Sequence, residues 1–345
     1  SSEVTTFVHN EQHPLKADAV VIDEMSMVDT TLFESLLRGC RMGCKLILVG
    51  DSDQLPSVGP GNVLRDLIDS GCIPTVELKQ VFRQAAESRI VTNAHRIVAG
   101  EYPDLKTKDN DFFFLRRQSA AAVLSTVTEL VAKRLPASYG YSPLEDIQVL
   151  TPQRKGDLGV GALNESLQAA LNPPQKGKRE YKSTFATFRE GDKVLQTRNN
   201  YDIEWEKPGT GEKGMGIYNG DIGIIQRIDL VGGTMEIDFD GRRCEYTLEM
   251  APELDLAYAV TVHKSQGSEY SAVVLPIFGG YDKLYFRNLL YTAVTRARKL
   301  LIIVGSESRV YQMVDNNRKM LRYTGLKWFL RQEAGKPAAE SGEAE

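Results

Sequence analysis

Cysteine is scarce in this sequence. Its four cysteines, Cys40, Cys44, Cys72 and Cys244, include no second pair at zinc-finger spacing. A disulfide framework and a structural zinc site are both excluded, and reduced thiols are expected. Histidine is equally sparse: His9, His13, His95 and His263 are scattered and make no metal-ligand cluster. No apolar run approaches the length of a membrane span and no signal peptide opens the chain, so the expectation is a cytoplasmic protein without membrane partners. An overall basic excess is missing too, since the formal net charge is −4. That rules out a protein that coats polyanions over its whole surface.

What is present is ordinary in bulk and uneven in distribution. Hydrophobic residues make up 42% and charged residues 26% of 345 positions, enough for two or three domains with real cores. Residues 1–75 carry five Lys/Arg against eleven Asp/Glu, residues 151–200 nine against five, and residues 281–331 eleven against three. Charge separated in this way allows a basic groove beside an acidic region, and equally a set of solvated helix faces.

The pattern of elements is α/β. AVVID (19–23) and KLILVGD (45–51) read as buried parallel strands, apolar throughout rather than alternating. Asp29 is placed to cap the helix TLFESLLRGC, and a glycine turn leads from KLILVGD into a second helix, VLRDLIDSG. After Pro74 the register restarts with a short strand at TVELKQVF and an amphipathic helix at SRIVTNAHRIVAG. A long helix over 119–135 is expected to end before Pro136, followed by a strand at DIQVLTP and a helix at VGALNESLQAALNPP. Residues 183–254 switch to short alternating segments split by Asn-Gly, Gly-Gly and Asp-Gly, which predicts hairpins and a small barrel. Six glycines over 209–223 suggest a mobile loop there. SAVVLPIF and KLLIIVGS return to buried strands, with FRNLLYTAVTRAR a helix between them. The small polar tail from about Gln332 is expected to be disordered.

Several clusters point to chemistry. Asp23 and Glu24 end a buried strand, where open α/β sheets bind ligands; the first can hold Mg²⁺, through water, and the second can polarise an attacking water. Two surface acids in a turn would look the same in isolation. Gly50-Asp51-Ser52-Asp53-Gln54 ends the next strand and brings Asp51 and Gln54 to the same edge, where an amide can both donate to and accept from a phosphoryl group and its water. Arg83 follows a strand and Arg296 lies on a helix, facing inward by period; either can stabilise charge on a transferring phosphoryl group or make a plain surface contact. In TVHKSQGSEY (261–270), Thr261, His263, Lys264 and Ser265 suit phosphate-backbone contacts, Gly267 permits close backbone approach and Glu269 can accept from a ribose hydroxyl.

The order of these segments resembles the superfamily 1 helicases, and within them the RecD-like (RecD2-type) DNA helicases. DEMSMVD resembles motif II, or Walker B; GDSDQLPSVGPG resembles the RecD-type motif III; VFRQ resembles motif IV. TPQRKGDLGVGALNESLQ resembles the RecD-type segment that follows, TVHKSQGSEY motif V and LLYTAVTRAR motif VI. The resemblance runs from about residue 15 to 306. It implies RecA-like parallel-sheet motor domains with ATP and Mg²⁺ between them, a small inserted SH3-like β-barrel, and 5′→3′ movement on single-stranded DNA. Asp23 would then bind Mg²⁺, Glu24 would activate water, and Gln54, Arg83 and Arg296 would meet the γ-phosphate. Thr151, Pro152, Thr261, His263, Lys264 and Ser265 would meet DNA, and Asp51, Gly267 and Glu269 the nucleotide. The resemblance also implies roles in DNA repair and recombination like those of an exodeoxyribonuclease V alpha subunit.

One part of the pattern is missing. No Gly-Lys-Ser/Thr occurs; Gly177-Lys178-Arg179 and Gly335-Lys336-Pro337 fail at the hydroxyl position. Without that loop the β- and γ-phosphates lose most of their cradle. The chain therefore reads as a C-terminal helicase fragment that does not hydrolyse ATP alone. The alternative is a non-catalytic DNA-binding or scaffold subunit derived from a helicase. The expected division is a partial first motor domain over 1–73, a second over 74–182 and 255–331, the β module over 183–254, and a tail over 332–345. An apolar edge left open on the first sheet would favour self-association.

Overall fold

A computed structural model describes residues 7–78, 87–107, 110–184, 186–317, 322 and 324–335. Contacts divide the chain into two compact units, Ser1–Ala86 with Asn317–Glu345, and Glu87–Asn316. This differs from the expected boundary at 73/74 and from the assignment of 317–331 to the second motor domain.

In the first unit, β1 (Ala19–Ile22) pairs in parallel with β2 (Lys45–Leu48), in register from Ala19↔Lys45 to Ile22↔Leu48. Between them α1 (Thr30–Gly39) starts where sequence places it: the Asp29 carboxylate accepts from Leu32 N at 2.8 Å. After β2 comes α2 (Val63–Ser70). Met25, Phe33, Val63, Leu64 and Leu67 form the core, with Ile22 and Leu48 contributing one face of the sheet. The other face is not covered as the apolar strands suggest: Val21 is 61% exposed, and Ile47 and Val49 are also exposed. The described helices gather on the Ile22 side only.

The same core is closed by a helix from the far end of the sequence. Leu326 and Leu330 of the C-terminal helix (Leu326–Glu333), one turn apart, pack into it. Arg331 donates to the carbonyls of Asp69 and Ser70 at the end of α2, and Thr324 Oγ1 bonds to the Asp66 carboxylate. Arg322 reaches the loop after β2, where its guanidinium donates to the carbonyls of Ser57, Gly59 and Gly61. One planar fork thus pins three backbone acceptors. Arg322→Ala should raise local opening of residues 57–61 and 322–335 by about 2 kcal/mol or more. Hydrogen exchange will read this as lost protection there and unchanged protection in the large sheet; equal protection in both proteins would refute it.

The second unit begins with α3 (Arg89–Ala99), capped by the Ser88 hydroxyl. Then follow β3 (Phe112–Arg116) and α4 (Ala120–Glu129). The helix expected to stop before Pro136 continues through a π-turn (Leu130–Arg134) into α5 (Leu135–Tyr139) and ends at Gly140. Pro136 falls just after the π-turn, and that local change from i→i+4 to i→i+5 bonding is where the continuous helix meets a residue with no N–H to donate. The strand expected at 75–82 is absent over 75–78, and 79–82 lie outside the described residues.

β4 (Ile147–Thr151) and α6 (Val160–Leu171) lead into the insert. A hairpin of β5 (Glu180–Lys182) and β6 (Thr187–Arg189) precedes a seven-stranded antiparallel sheet. Its members are β7 (Lys193–Gln196), β8 (Asn200–Lys207), β9 (Glu212–Ile217), β10 (Ile222–Asp229), β11 (Thr234–Phe239), β12 (Arg242–Thr247) and β13 (Leu254–Leu256), in the order β13-β7-β10-β11-β12-β8-β9. It encloses its own core, including Ile225, Ile237, Phe239 and Tyr246. The glycine-rich stretch expected as a mobile loop forms β9 and the start of β10. Gly214 pairs with Trp205, and a Cβ there would fall 2.3 Å from the indole. The glycine makes room for the ring.

The chain then returns to α/β. β14 (Ala259–Thr261), β15 (Tyr270–Ile277), α7 (Arg287–Thr295), β16 (Ala297–Gly305) and α8 (Glu307–Asp315) follow. Five parallel strands pair in the order β14-β4-β15-β16-β3. Val123, Val127, Leu163 and Leu167 from α4 and α6 pack on Val149, Val274 and Ile302 of this sheet. The result is a RecA-like parallel-sheet domain with an SH3-like insert. Among the described residues, no helix is long and apolar enough to cross a membrane.

Candidate functional site

In the first unit two adjacent strand ends supply the acids. Val49 N donates to Ile22 O at 2.8 Å and Met25 N to Val49 O at 2.9 Å, stitching the ends together just where Asp23-Glu24 and Asp51 emerge. Asp23 Oδ1 accepts from Glu24 N at 2.8 Å. Glu24 holds φ 51° and ψ 40°, a left-handed conformation that costs a non-glycine residue about 1 kcal/mol or more. Strain of this kind concentrates where side-chain direction matters. Asp51 Oδ1 accepts from Asp53 N at 2.9 Å, and Asp51 Oδ2 from Gln54 Nε2 at a long 3.4 Å. Gln54 Oε1 is buried with no hydrogen-bond partner among the described residues. Asp23, Glu24, Asp51 and Gln54 therefore share one sheet edge. Arg83 lies outside the described residues.

Among the described residues, no three His, Cys, Asp or Glu side chains gather into a metal cage. Magnesium needs none, since it binds through one or two carboxylates, waters and substrate phosphates. Asp23, exposed at the strand end, fits that use.

In the second unit, Arg296 sits one residue past α7 rather than within it, and is 4% exposed. Its Nη1 donates to Ser268 O at 3.1 Å and its Nη2 to Thr295 Oγ1 at 3.4 Å, while Nε is buried without a partner among the described residues. A guanidinium stays charged when buried, so an unpaired N–H on it is a vacant donor of high cost. Gly267 holds φ +74°, and a Cβ on it would meet nothing within 4 Å. The glycine here serves conformation and leaves open space above the turn. Glu269 pairs with Arg298 at 3.5 Å on the surface, a contact of small energy.

The residues expected to meet nucleic acid separate into two sets. Thr151, Pro152 and Ser265 are buried. The Thr151 hydroxyl donates to Leu158 O at 2.8 Å and that of Ser265 to Val262 O at 2.8 Å, so both hold the frame. Thr261 Oγ1 accepts from Lys264 N and caps the short turn Val262–Ser265. That turn presents His263 and Lys264. His263 is exposed, yet the protein packed around its ring partly desolvates it and lowers its imidazole pKa, favouring the neutral form. Burial also lowers that of Lys264; Asp255 opposes the shift and nearby Arg154 adds to it.

Arg154, exposed on the turn after β4, was not among the expected contacts; neither were Arg198, Tyr201 and Tyr218. Asn-Asn-Tyr and Asn-Gly-Asp look like plain turn chemistry in sequence. The folding of the insert brings Asn219, beside Tyr218, onto Lys264, while Arg154 comes near it from the turn after β4.

Similarity to known proteins extends along most of the chain. Residues 2–113 match an AAA domain, 163–239 the SH3 domain of ATP-dependent RecD-like DNA helicases, and 256–304 a UvrD-like helicase C-terminal domain. The chain is 35% identical to the ATP-dependent RecD2 DNA helicase of Deinococcus radiodurans, over 93% of this chain and 41% of that protein. It is 30% identical to the RecBCD enzyme subunit RecD of Mycobacterium tuberculosis, over 94% of this chain and 55% of that one. The chain thus spans about half the length of these relatives or less. A crystal structure of Pif1 helicase from Bacteroides with ADP-AlF3 and ssDNA has 20% identity and a TM-score of 0.49, covering 93% of this chain and 76% of that one. One AAA-domain match and two helicase-domain matches in the expected order, with RecD relatives aligned along nearly the whole sequence, support the assignment of this chain to the RecD-like superfamily 1 helicases.

Proposed function

We propose that this chain is the motor segment of an ATP-dependent 5′→3′ DNA helicase, and that by itself it does not hydrolyse ATP. The observation that carries the reading is one buried atom in each unit, Gln54 Oε1 in the first and Arg296 Nε in the second, without a hydrogen-bond partner among the described residues. Each sits at a position that the resemblance assigns to the γ-phosphate. An unsatisfied buried polar group costs roughly 1–3 kcal/mol, a cost that a phosphoryl oxygen and its attacking water would remove. MgATP, when bound, would supply the phosphoryl group whose hydrolysis drives movement. Asp23 would hold the cation's water shell, Glu24 would take the proton of the attacking water, and Gln54 would orient that water. Arg296, joined by Arg83, would donate to developing negative charge. His263 and Lys264 would hold the DNA backbone, and Asp51 would keep Gln54 in place.

The chain's inactivity follows from its lack of a Gly-Lys-Ser/Thr loop. An ATPase assay with saturating oligo(dT) should show no turnover above background. Turnover of one per second or faster, typical of enzymes, would overturn this part of the reading. Anisotropy with labelled oligo(dT) should still show binding. The exposed apolar face of Val21, Ile47 and Val49 favours self-association, which sedimentation velocity would read as a dimer; a monomer at tens of micromolar would count against it.

A further inference from the structure

A pair of tyrosines stands out on the insert. Tyr201 of β8 and Tyr218, just after β9, meet edge-to-face with centroids 5.8 Å apart and planes at 69°. Both are exposed, at 60% and 43%. Nothing in the insert's own core uses them. Their positions are nevertheless fixed. Gly216 holds φ +95°, and a Cβ on it would fall 2.8 Å from the Tyr218 hydroxyl, so the glycine lets the ring lie against the strand. Tyr218 N donates to Asp221 Oδ2, which Arg242 also engages at 3.0 Å. Asn199 Nδ2 donates to the Tyr201 hydroxyl at 3.2 Å, and Asn199 Oδ1 accepts from Asn219 N at 2.9 Å.

That chain of contacts ends on the motif V lysine. Lys264 Nζ donates to Asn219 Oδ1 at 2.5 Å and to Thr197 O at 3.4 Å. The two rings are therefore tied, through Asn199 and Asn219, to a residue expected to meet phosphate. Two further cations belong to the same stretch of surface residues: Arg154 near Lys264, and Arg198, close before Tyr201 in sequence, whose exposed guanidinium is anchored to the buried Glu253 carboxylate at 2.5 Å. Exposed aromatic faces flanked by cations are what single-stranded nucleic acid requires: the rings stack bases regardless of sequence and the cations follow the backbone.

We propose that Tyr201 and Tyr218 form a base-stacking platform for single-stranded DNA, held in register with Lys264 by Asn199 and Asn219. The inference rests on the reading that this chain binds single-stranded DNA, and adds to it which residues meet bases. Backbone contact belongs to Lys264 and Arg154; base contact belongs to the insert.

The test is fluorescence anisotropy of the whole chain with two labelled 20-mers, oligo(dT) and a tract of abasic deoxyribose phosphates. Wild type should bind oligo(dT) at least tenfold more tightly than the abasic tract. Y201A/Y218A should lose about tenfold or more on oligo(dT), with abasic binding and the salt dependence unchanged. Y201F/Y218F, which keeps both rings, should stay within about threefold of wild type. K264A should instead lower the slope of log affinity against log salt by about one. A folded Y201A/Y218A protein, judged by its melting midpoint, that binds oligo(dT) like wild type would overturn the proposal, as would equal loss on both ligands. Failure of wild type to bind oligo(dT) at all would remove the single-stranded DNA reading itself, and the platform with it.

Discussion

Replacing Asp192 with alanine will destabilise the second unit by about 4 kcal/mol or more, a large fraction of the 5–15 kcal/mol typical of a folded domain. Asp192 is fully buried where the insert joins the parallel-sheet domain. Four donors converge on its carboxylate: Gln168 Nε2 at 2.7 Å, Asn172 Nδ2 at 2.6 Å, the Tyr258 hydroxyl at 2.8 Å and Arg189 N at 2.7 Å. They come from α6 and its C-terminal cap, from the segment before β14, and from β6. One side chain therefore ties the entry and exit of the insert to the helix beneath. Burial raises its pKa, and the hydrogen bonds from Asn172, Tyr258, Arg189 and Gln168 only partly counter this. The alanine variant removes the acceptor and leaves four donors in a dry site. Asparagine keeps one oxygen but turns an amide N–H₂ toward donors, so it should cost less than alanine and still more than 1 kcal/mol. Urea unfolding of the three proteins gives the comparison. A loss below 1 kcal/mol for alanine would show that water enters and replaces the carboxylate.

The next residue should respond in the opposite direction. Lys193→Met will stabilise the unit by about 3 kcal/mol at neutral pH. Lys193 is 3% exposed, and among the described residues its Nζ has a single weak contact, to Ile147 O at 3.4 Å. Burial pulls its pKa from 10.5 down to about 8. The sign follows from proton counting. Between pH 8 and 10.5 the unfolded chain holds a proton on this lysine that the folded chain has released, so wild-type stability rises with pH across that window. Below pH 8 the full penalty is present. Above pH 10.5 it is gone. Methionine has a similar shape and no charge to desolvate, so its advantage should be full at pH 7 and fade between pH 8 and 10.5. At about 2–4 °C per kcal/mol for a unit of this size, calorimetry should show a melting midpoint raised by several degrees at pH 7. A midpoint unchanged or lowered at pH 7 would mean that Lys193 has an acceptor in solution that meets its charge.

These two neighbours also mark where sequence reading stopped. Asp192 and Lys193 lie in FREGDKVLQ, which alternates as a surface hairpin would, and both look like solvated charges. Both are buried because β7 lies inside a seam: it pairs with β10 on one side and β13 on the other, and Lys193 reaches β4 of the parallel sheet. Burial at a junction between two modules has no local period.

The strand ends carrying Asp23-Glu24 and Asp51-Gln54, the capped helix after Asp29, and the hairpin character of the insert were all legible in the sequence. Each depends on neighbours a few residues apart: an apolar run, a capping carboxylate, an Asn-Gly turn. The motif order that marks the family was legible for the same reason. Tertiary structure alone decided the rest. Arg322 and the C-terminal helix close the core of the first unit, some 260 residues away from the loop they hold. The glycines of β9 make room for rings, because Trp205 and Tyr218 pack where side chains would stand. Asn219, next to Tyr218 of the tyrosine pair, meets Lys264 only once the insert has folded back onto the turn after β14. Local sequence specifies what a segment does with its own backbone; which distant side chain satisfies it is settled only when the chain has closed.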